Sequence, residues 1–143
     1  MTPAEFRILR ERLGLTTNWL ADYYGVGHRT VTRWDRGEKT PGPRGKVVVL
    51  QSIPPERAAA LRELEQRTDQ VIDGIARELR TQASAKEGLP TVQTYVTDEQ
   101  YQEHEAGPWT SAWHRAVVGR AVEAYGRPAI IRYATDRDAS VDN

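Results

Sequence analysis

Leu15-Thr16-Thr17-Asn18-Trp19-Leu20-Ala21-Asp22-Tyr23-Tyr24-Gly25-Val26-Gly27-His28-Arg29-Thr30-Val31-Thr32-Arg33-Trp34-Asp35-Arg36-Gly37 sets the architecture of the first third of this chain. Two short apolar patterns of helical period flank Gly25-Val26-Gly27. Leu20 and Ala21 face inward from the first, and Ala21 is small where two helix backbones approach. Val31 and Trp34, spaced i and i+3, hold the second helix to the core together with Val26. Gly25 permits the positive φ that turns the chain sharply between them. That leaves His28, Arg29, Thr32 and Arg33 outward, on the open face and N-terminal end of the second helix.

Working upstream, Thr2-Pro3-Ala4-Glu5 is a helix start with a hydroxyl cap, Pro at the first position and Glu at the third. Phe6, Leu9 and Leu13 follow on one face, and Gly14 ends the helix. Downstream, Glu38 to Gly45 is a turn segment with two Pro and two Gly. Lys46-Val47-Val48-Val49-Leu50 reads as a strand from its β-branched run. Its place after three helices favours instead a short fourth helix that closes the domain.

The segment resembles the helix-turn-helix of phage repressor and Cro-like proteins, the xenobiotic-response-element type. The resemblance rests on Leu15, Thr16, Leu20, Ala21, Gly25, Val26, Thr30, Val31, Trp34, Asp35, Gly37 and Pro41. It implies a lambda-repressor-like domain that binds double-stranded DNA through a recognition helix in the major groove. His28, Arg29, Thr32 and Arg33 would then read base edges, an arginine on guanine being the commonest specific contact. Thr17, Asn18, Arg36, Lys39 and Arg44 would meet phosphates and set register. The family commonly has Gln where Thr17 stands, so the reach at that position is shorter.

Pro54-Pro55-Glu56 starts a long helix that runs to about Arg80. Leu61, Leu64, Thr68, Val71 and Ile75 form a stripe spaced 3-4-3-4, continued by Leu79, a seam for a second copy or for the chain's own second half. A polar linker covers 83–88. Two strand candidates, at Val92 to Val96 and Ala129 to Tyr133, then bracket a polar stretch from Asp98 to Glu105 and a helix from Trp109 to Tyr125. They can pair within the chain or across a dimer. The expected organisation is a DNA-binding domain at 1–52, the long helix at 53–82, the linker, a small strand-helix-strand unit at 89–134 and a disordered tail at 135–143. The fold class is mainly α with a small C-terminal α+β unit. In architecture and a few aromatic positions the whole chain also resembles the YdiL-like regulators, which implies a helical dimer and no known ligand.

The formal net charge is zero, but it is unevenly spread. Residues 1–50 hold nine Lys/Arg against five Asp/Glu, and residues 89–143 hold five against eight. A basic head can neutralise phosphates while an acidic tail keeps the molecule soluble. The absence of cysteine removes disulfides, zinc-thiolate sites and cysteine nucleophiles. No apolar run approaches the ~18 residues of a membrane span, and no basic-then-apolar leader opens the chain. The expectation is therefore a cytoplasmic, non-enzymatic protein with no cofactor. Glu103-His104-Glu105 is a poor chelator, because adjacent helical residues point in different directions. Trp109, Trp113, His114, Arg115 and Arg120 read as packing for the second unit, with a second nucleic-acid surface as the weaker alternative.

The function these residues point to is a regulator, expected to be a bacterial or phage repressor acting as a homodimer on double-stranded DNA. Two alternatives stand beside it. One is an antitoxin or adaptor that contacts a protein partner through 89–134. The other is a monomeric repressor that uses both domains on an asymmetric site.

Overall fold

The computed structural model describes residues 1–37, 39–41, 43–45, 47–49 and 53–135. Among the described residues the fold is mainly helical, with one long helix and two small two-stranded sheets. It divides into two compact units, Met1–Glu65 and Gln66–Asn143.

The first unit opens with α1, Pro3–Arg12. Its start is a reciprocal cap: Thr2 Oγ1 accepts from the Glu5 amide at 3.1 Å, and Glu5 Oε2 accepts from the Thr2 amide at 2.6 Å. Helix α2, Thr17–Tyr24, is capped by Thr16, whose hydroxyl accepts from the Trp19 amide at 3.0 Å. Gly25 ends it at φ 66°, a left-handed conformation that glycine adopts without a Cβ clash. Helix α3 runs His28–Arg36. Phe6, Leu13, Leu15, Leu20, Ala21, Val31 and Trp34 form the buried core. Phe6 and Tyr24 both meet Trp34 edge to face, at 6.2 and 6.0 Å between ring centres.

After α3 the expected short fourth helix does not form. Instead β1, Lys39–Pro41, pairs antiparallel with β2, Val47–Val49, with Lys39 opposite Val49. Three consecutive β-branched residues favour extended backbone, where their χ1 is unrestricted by a preceding helical turn. Position after three helices was the weaker guide.

Helix α4, Pro55–Ala85, is continuous across the division between the units. Its first turns are tied to α1 and α2. Tyr24 donates its hydroxyl to the Arg57 carbonyl at 3.0 Å, and Arg57 Nη1 donates back to the Tyr24 carbonyl at 3.2 Å. Arg12 meets Glu65 at 3.5 Å. This explains why the unit extends past residue 52. The helix also continues to Ala85, through part of the segment expected as linker. Thr81 and Ser84 hydroxyls donate to the carbonyls of Arg77 and Arg80, so these small polar residues turn their hydrogen bonds onto the helix itself.

The seam on α4 differs from its expected register. Leu61, Leu64, Thr68 and Leu79 are buried, but Val71 is 37% exposed and Ile75 is only half-buried. Ile72 and Ala76 take the buried places instead. A straight helix of 3.6 residues per turn drifts about 20° per heptad away from a 3.5-residue stripe. Over the two heptads from Leu61 to Ile75 that drift reaches about 40°, enough to favour Ile72 and Ala76 over their neighbours while Leu79 stays on the buried line.

In the second unit, β3, Thr91–Thr94, pairs parallel with β4, Ile130–Tyr133, so the two strand candidates meet within the chain. Between them lie α5, Asp98–His104, and α6, Ser111–Tyr125. Thr97 and Thr110 cap these helices through their hydroxyls. The Gln82 side chain acts as a short stand-in strand beside β3, accepting from the Thr91 amide at 2.9 Å and donating to its carbonyl at 3.1 Å. The expected tail from 136 onward lies outside the described residues. Among those described, no helix is long and apolar enough to cross a membrane.

Candidate nucleic-acid interface

Helix α3 is divided sharply between its faces. Val31, Trp34 and Asp35 are buried, while His28, Arg29 and Arg36 are exposed and Thr32 and Arg33 half-buried. Arg29, Arg33 and Arg36 follow one another at i+4 and i+3, and so share one side of the helix. Like charges at that spacing weaken an isolated helix by roughly 0.2–0.5 kcal/mol per pair, so the stripe is not there for helix stability. Gly27 begins α3 with no side-chain cap. Its first amides are therefore not covered by a neighbouring side chain.

The candidate polar contacts are partly committed. Thr32 donates its hydroxyl to the His28 carbonyl at 3.0 Å, which leaves the oxygen's lone pairs as acceptors. His28 Nε2 stands 3.4 Å from the carboxylate of Asp22, an exposed acid on α2. Thr17 is half-buried and Asn18 exposed, both in the first turn of α2. Arg44 is exposed within the three-residue 3-10 turn between β1 and β2, at φ 63°. That is a left-handed conformation rare for a residue with a Cβ. Lys39 lies in β1, and its side chain falls outside what is described.

Asp35 is the residue that sequence reasoning placed without a role. Its carboxylate is buried and receives Arg7 Nε at 2.9 Å and Nη2 at 2.8 Å on Oδ2, and Arg10 Nε at 2.8 Å on Oδ1. Arg10 also donates to the Leu15 carbonyl at 2.9 Å. Burial pushes the Asp35 carboxyl up, but hydrogen bonds and charge from Arg10 and Arg7 outweigh it and hold it below the usual carboxylate value. The acid thus pins α3 to α1 from beneath the outward face. With Arg12 on Glu65, all three α1 arginines are engaged inside the unit.

The aromatic and basic cluster of the second unit is taken up in packing. Trp109, Trp113 and His114 are buried. Arg115 Nη1 donates to the carbonyls of Tyr95 and Val96, and Arg120 pairs with Asp69 at 2.9 Å. His104 Nδ1 donates to the Gln100 carbonyl, and no group of three or more His, Cys, Asp or Glu suited to a metal occurs among the described residues.

No protein-family model matches the chain, and comparison with curated proteins finds no match.

Proposed function

We propose that this protein is a sequence-specific, duplex-DNA-binding transcriptional regulator, a cytoplasmic repressor of bacterial or phage type. In this reading residues 1–52 act as a lambda-repressor-like helix-turn-helix domain whose third helix is followed by a β-hairpin. The observation that carries it is the two-faced α3, anchored from below by Val31, Trp34 and the Asp35–Arg7–Arg10 cluster and bearing His28, Arg29, Thr32 and Arg33 on its other side. A helix so held is a rigid platform, which base readout requires. Arg29 and Arg33 read bases, while Asn18, Arg36 and Arg44 contact phosphates and set register.

Selection of sites from random duplex DNA tests this directly. An enriched motif is expected, and inverted half-sites about 34 Å apart if two copies bind symmetrically. Arg29→Ala with Arg33→Ala should abolish the preference while the circular dichroism spectrum is kept, at ~1–3 kcal/mol per lost bidentate contact. Arg36→Ala should instead weaken binding to all sequences and lower the salt slope by about 1. If the double variant still prefers the selected motif, or no motif is enriched, the reading fails.

A further inference from the structure

A cleft of about 490 Å³ opens within the second unit. One wall is α4, through Val71, Ile75 and Glu78. These include the two residues that the helical drift moved out of the buried line. Another wall is aromatic: Tyr95, Tyr101, Trp109, Trp113 and His114 all line it and are all buried. Trp109 and Trp113 stack at 4.2 Å, and His114 tilts against Tyr95 at 4.9 Å. A volume in this range holds a small organic molecule.

The carboxylates of Glu78 and Glu105 belong to the cleft lining, and no Lys or Arg among the described residues does. Lys86 and Arg132 line the adjoining pocket that shares Glu78. Glu105 is held in place: Tyr95 donates its hydroxyl to Oε1 at 2.8 Å, and His114 Nε2 stands 3.6 Å from the same oxygen. Both of these interactions fall on Oε1. His114 shares its other nitrogen with the Thr94 hydroxyl at 2.8 Å, which fixes the ring. Burial pushes the His114 pKa down, partly opposed by Glu105, so the imidazole does not neutralise that carboxylate near neutral pH. The nearest cation on the aromatic set is Arg67, 5.7 Å from the Trp109 ring centre and outside the cleft lining. Oriented carboxylates beside aromatic rings attract cations through both charge and ring quadrupole.

We infer that this cleft binds a small organic cation with a flat apolar body, its positive group on Glu105 and Glu78 and its body between the aromatic wall and Val71 and Ile75. The inference stands apart from the DNA-binding reading, since every residue it uses lies in the second unit.

Benzamidinium, benzamide and benzoate test it, because they share one shape and differ in charge. The readout is the four indole N–H signals in an NMR titration of the full chain. Benzamidinium should give saturable shifts of Trp109 and Trp113 with Trp19 and Trp34 unmoved, and bind about tenfold more tightly than benzamide. Benzoate should bind more weakly than either. Glu105→Gln keeps an acceptor for Tyr95 and should remove most of the charge preference. Glu78→Gln, on an exposed helix position, should reduce it without risk to the fold, and it decides the matter if the first variant does not fold. Equal binding of benzamide or benzoate, shifts at Trp19 or Trp34 instead, no saturation by about 10 mM, or full preference in a folded glutamine variant would overturn the inference.

Discussion

The unit Met1–Glu65 holds eleven Lys/Arg against eight Asp/Glu, and Gln66–Asn143 holds nine against twelve. Their interiors differ as much as their charge. Among the described residues the first unit buries one carboxylate, Asp35, and surrounds it with guanidinium groups. The second buries hydroxyls and an imidazole, Thr68, Thr94, Ser111 and His114, beneath a dense aromatic set; Thr68 and Thr94 bond to Trp113 and His114, and only Ser111 bonds to a carboxylate, that of Asp98. A buried charge pair pins a helix in one orientation but depends on both partners being ionised. Neutral hydrogen bonds within aromatic packing depend on shape and tolerate charge change on the surface. The first arrangement suits a helix that must be presented rigidly, and the second suits walls that enclose a cavity.

The largest test of this contrast is Trp113→Ala. Trp113 is 2% exposed and donates Nε1–H to the buried Thr68 hydroxyl at 3.1 Å. Truncation should cost about 3–5 kcal/mol in urea denaturation. A loss below about 1 kcal/mol would mean that the aromatic set does not hold the second unit together.

Asp35→Asn and His114→Gln sharpen the same contrast through pH. Asn at 35 should cost about 2–3 kcal/mol, at or below the lower end for a broken buried pair because Arg7 is half exposed to solvent. The folded Asp35 carboxyl lies below its ordinary value of 3.8, so its contribution is present above that pH and lost as pH falls through the folded value. The folded His114 lies below its ordinary 6.5, so the folded state resists protonation and stability starts to fall already below that pH. Denaturation midpoints between pH 3 and 8, compared with the parent protein, should therefore flatten near pH 6 in His114→Gln and below pH 4 in Asp35→Asn. The reverse order would break the assignment.

The smallest effect belongs to the hairpin. Arg44→Gly removes a Cβ from a left-handed residue, and the thermal midpoint should rise, by an amount worth no more than about 1 kcal/mol because glycine also loosens the unfolded chain. A fall in midpoint would show that the arginine side chain, not the turn geometry, stabilises the hairpin.

Much of this molecule was legible from short stretches of sequence. The cap at Thr2, the turn at Gly25 and the strand candidates near 92 and 130 each follow from chemistry within a few residues. So does the outward set on α3, because period and burial of Val31 and Trp34 determine which side remains. The hairpin was misjudged although its signal was present: three β-branched residues outweigh position in the chain. Of the expected α4 stripe, Leu61, Leu64, Thr68 and Leu79 are buried, while Ile72 and Ala76 take the buried places expected for Val71 and Ile75.

What sequence alone established, then, is local: where α1 and α4 start, which residues turn the chain, and which side of α3 faces out. Partners separated by long loops came only from the folded chain. Asp35 meets arginines 25 and 28 residues away, Trp113 meets Thr68 across 45, and the cleft draws its walls from α4, β3, α5 and α6. The reason is physical. A cap or a glycine turn is settled by steric and hydrogen-bond energies among neighbours in the chain. The choice of a distant partner is settled by which burial satisfies every polar group at once, and no single segment carries that condition.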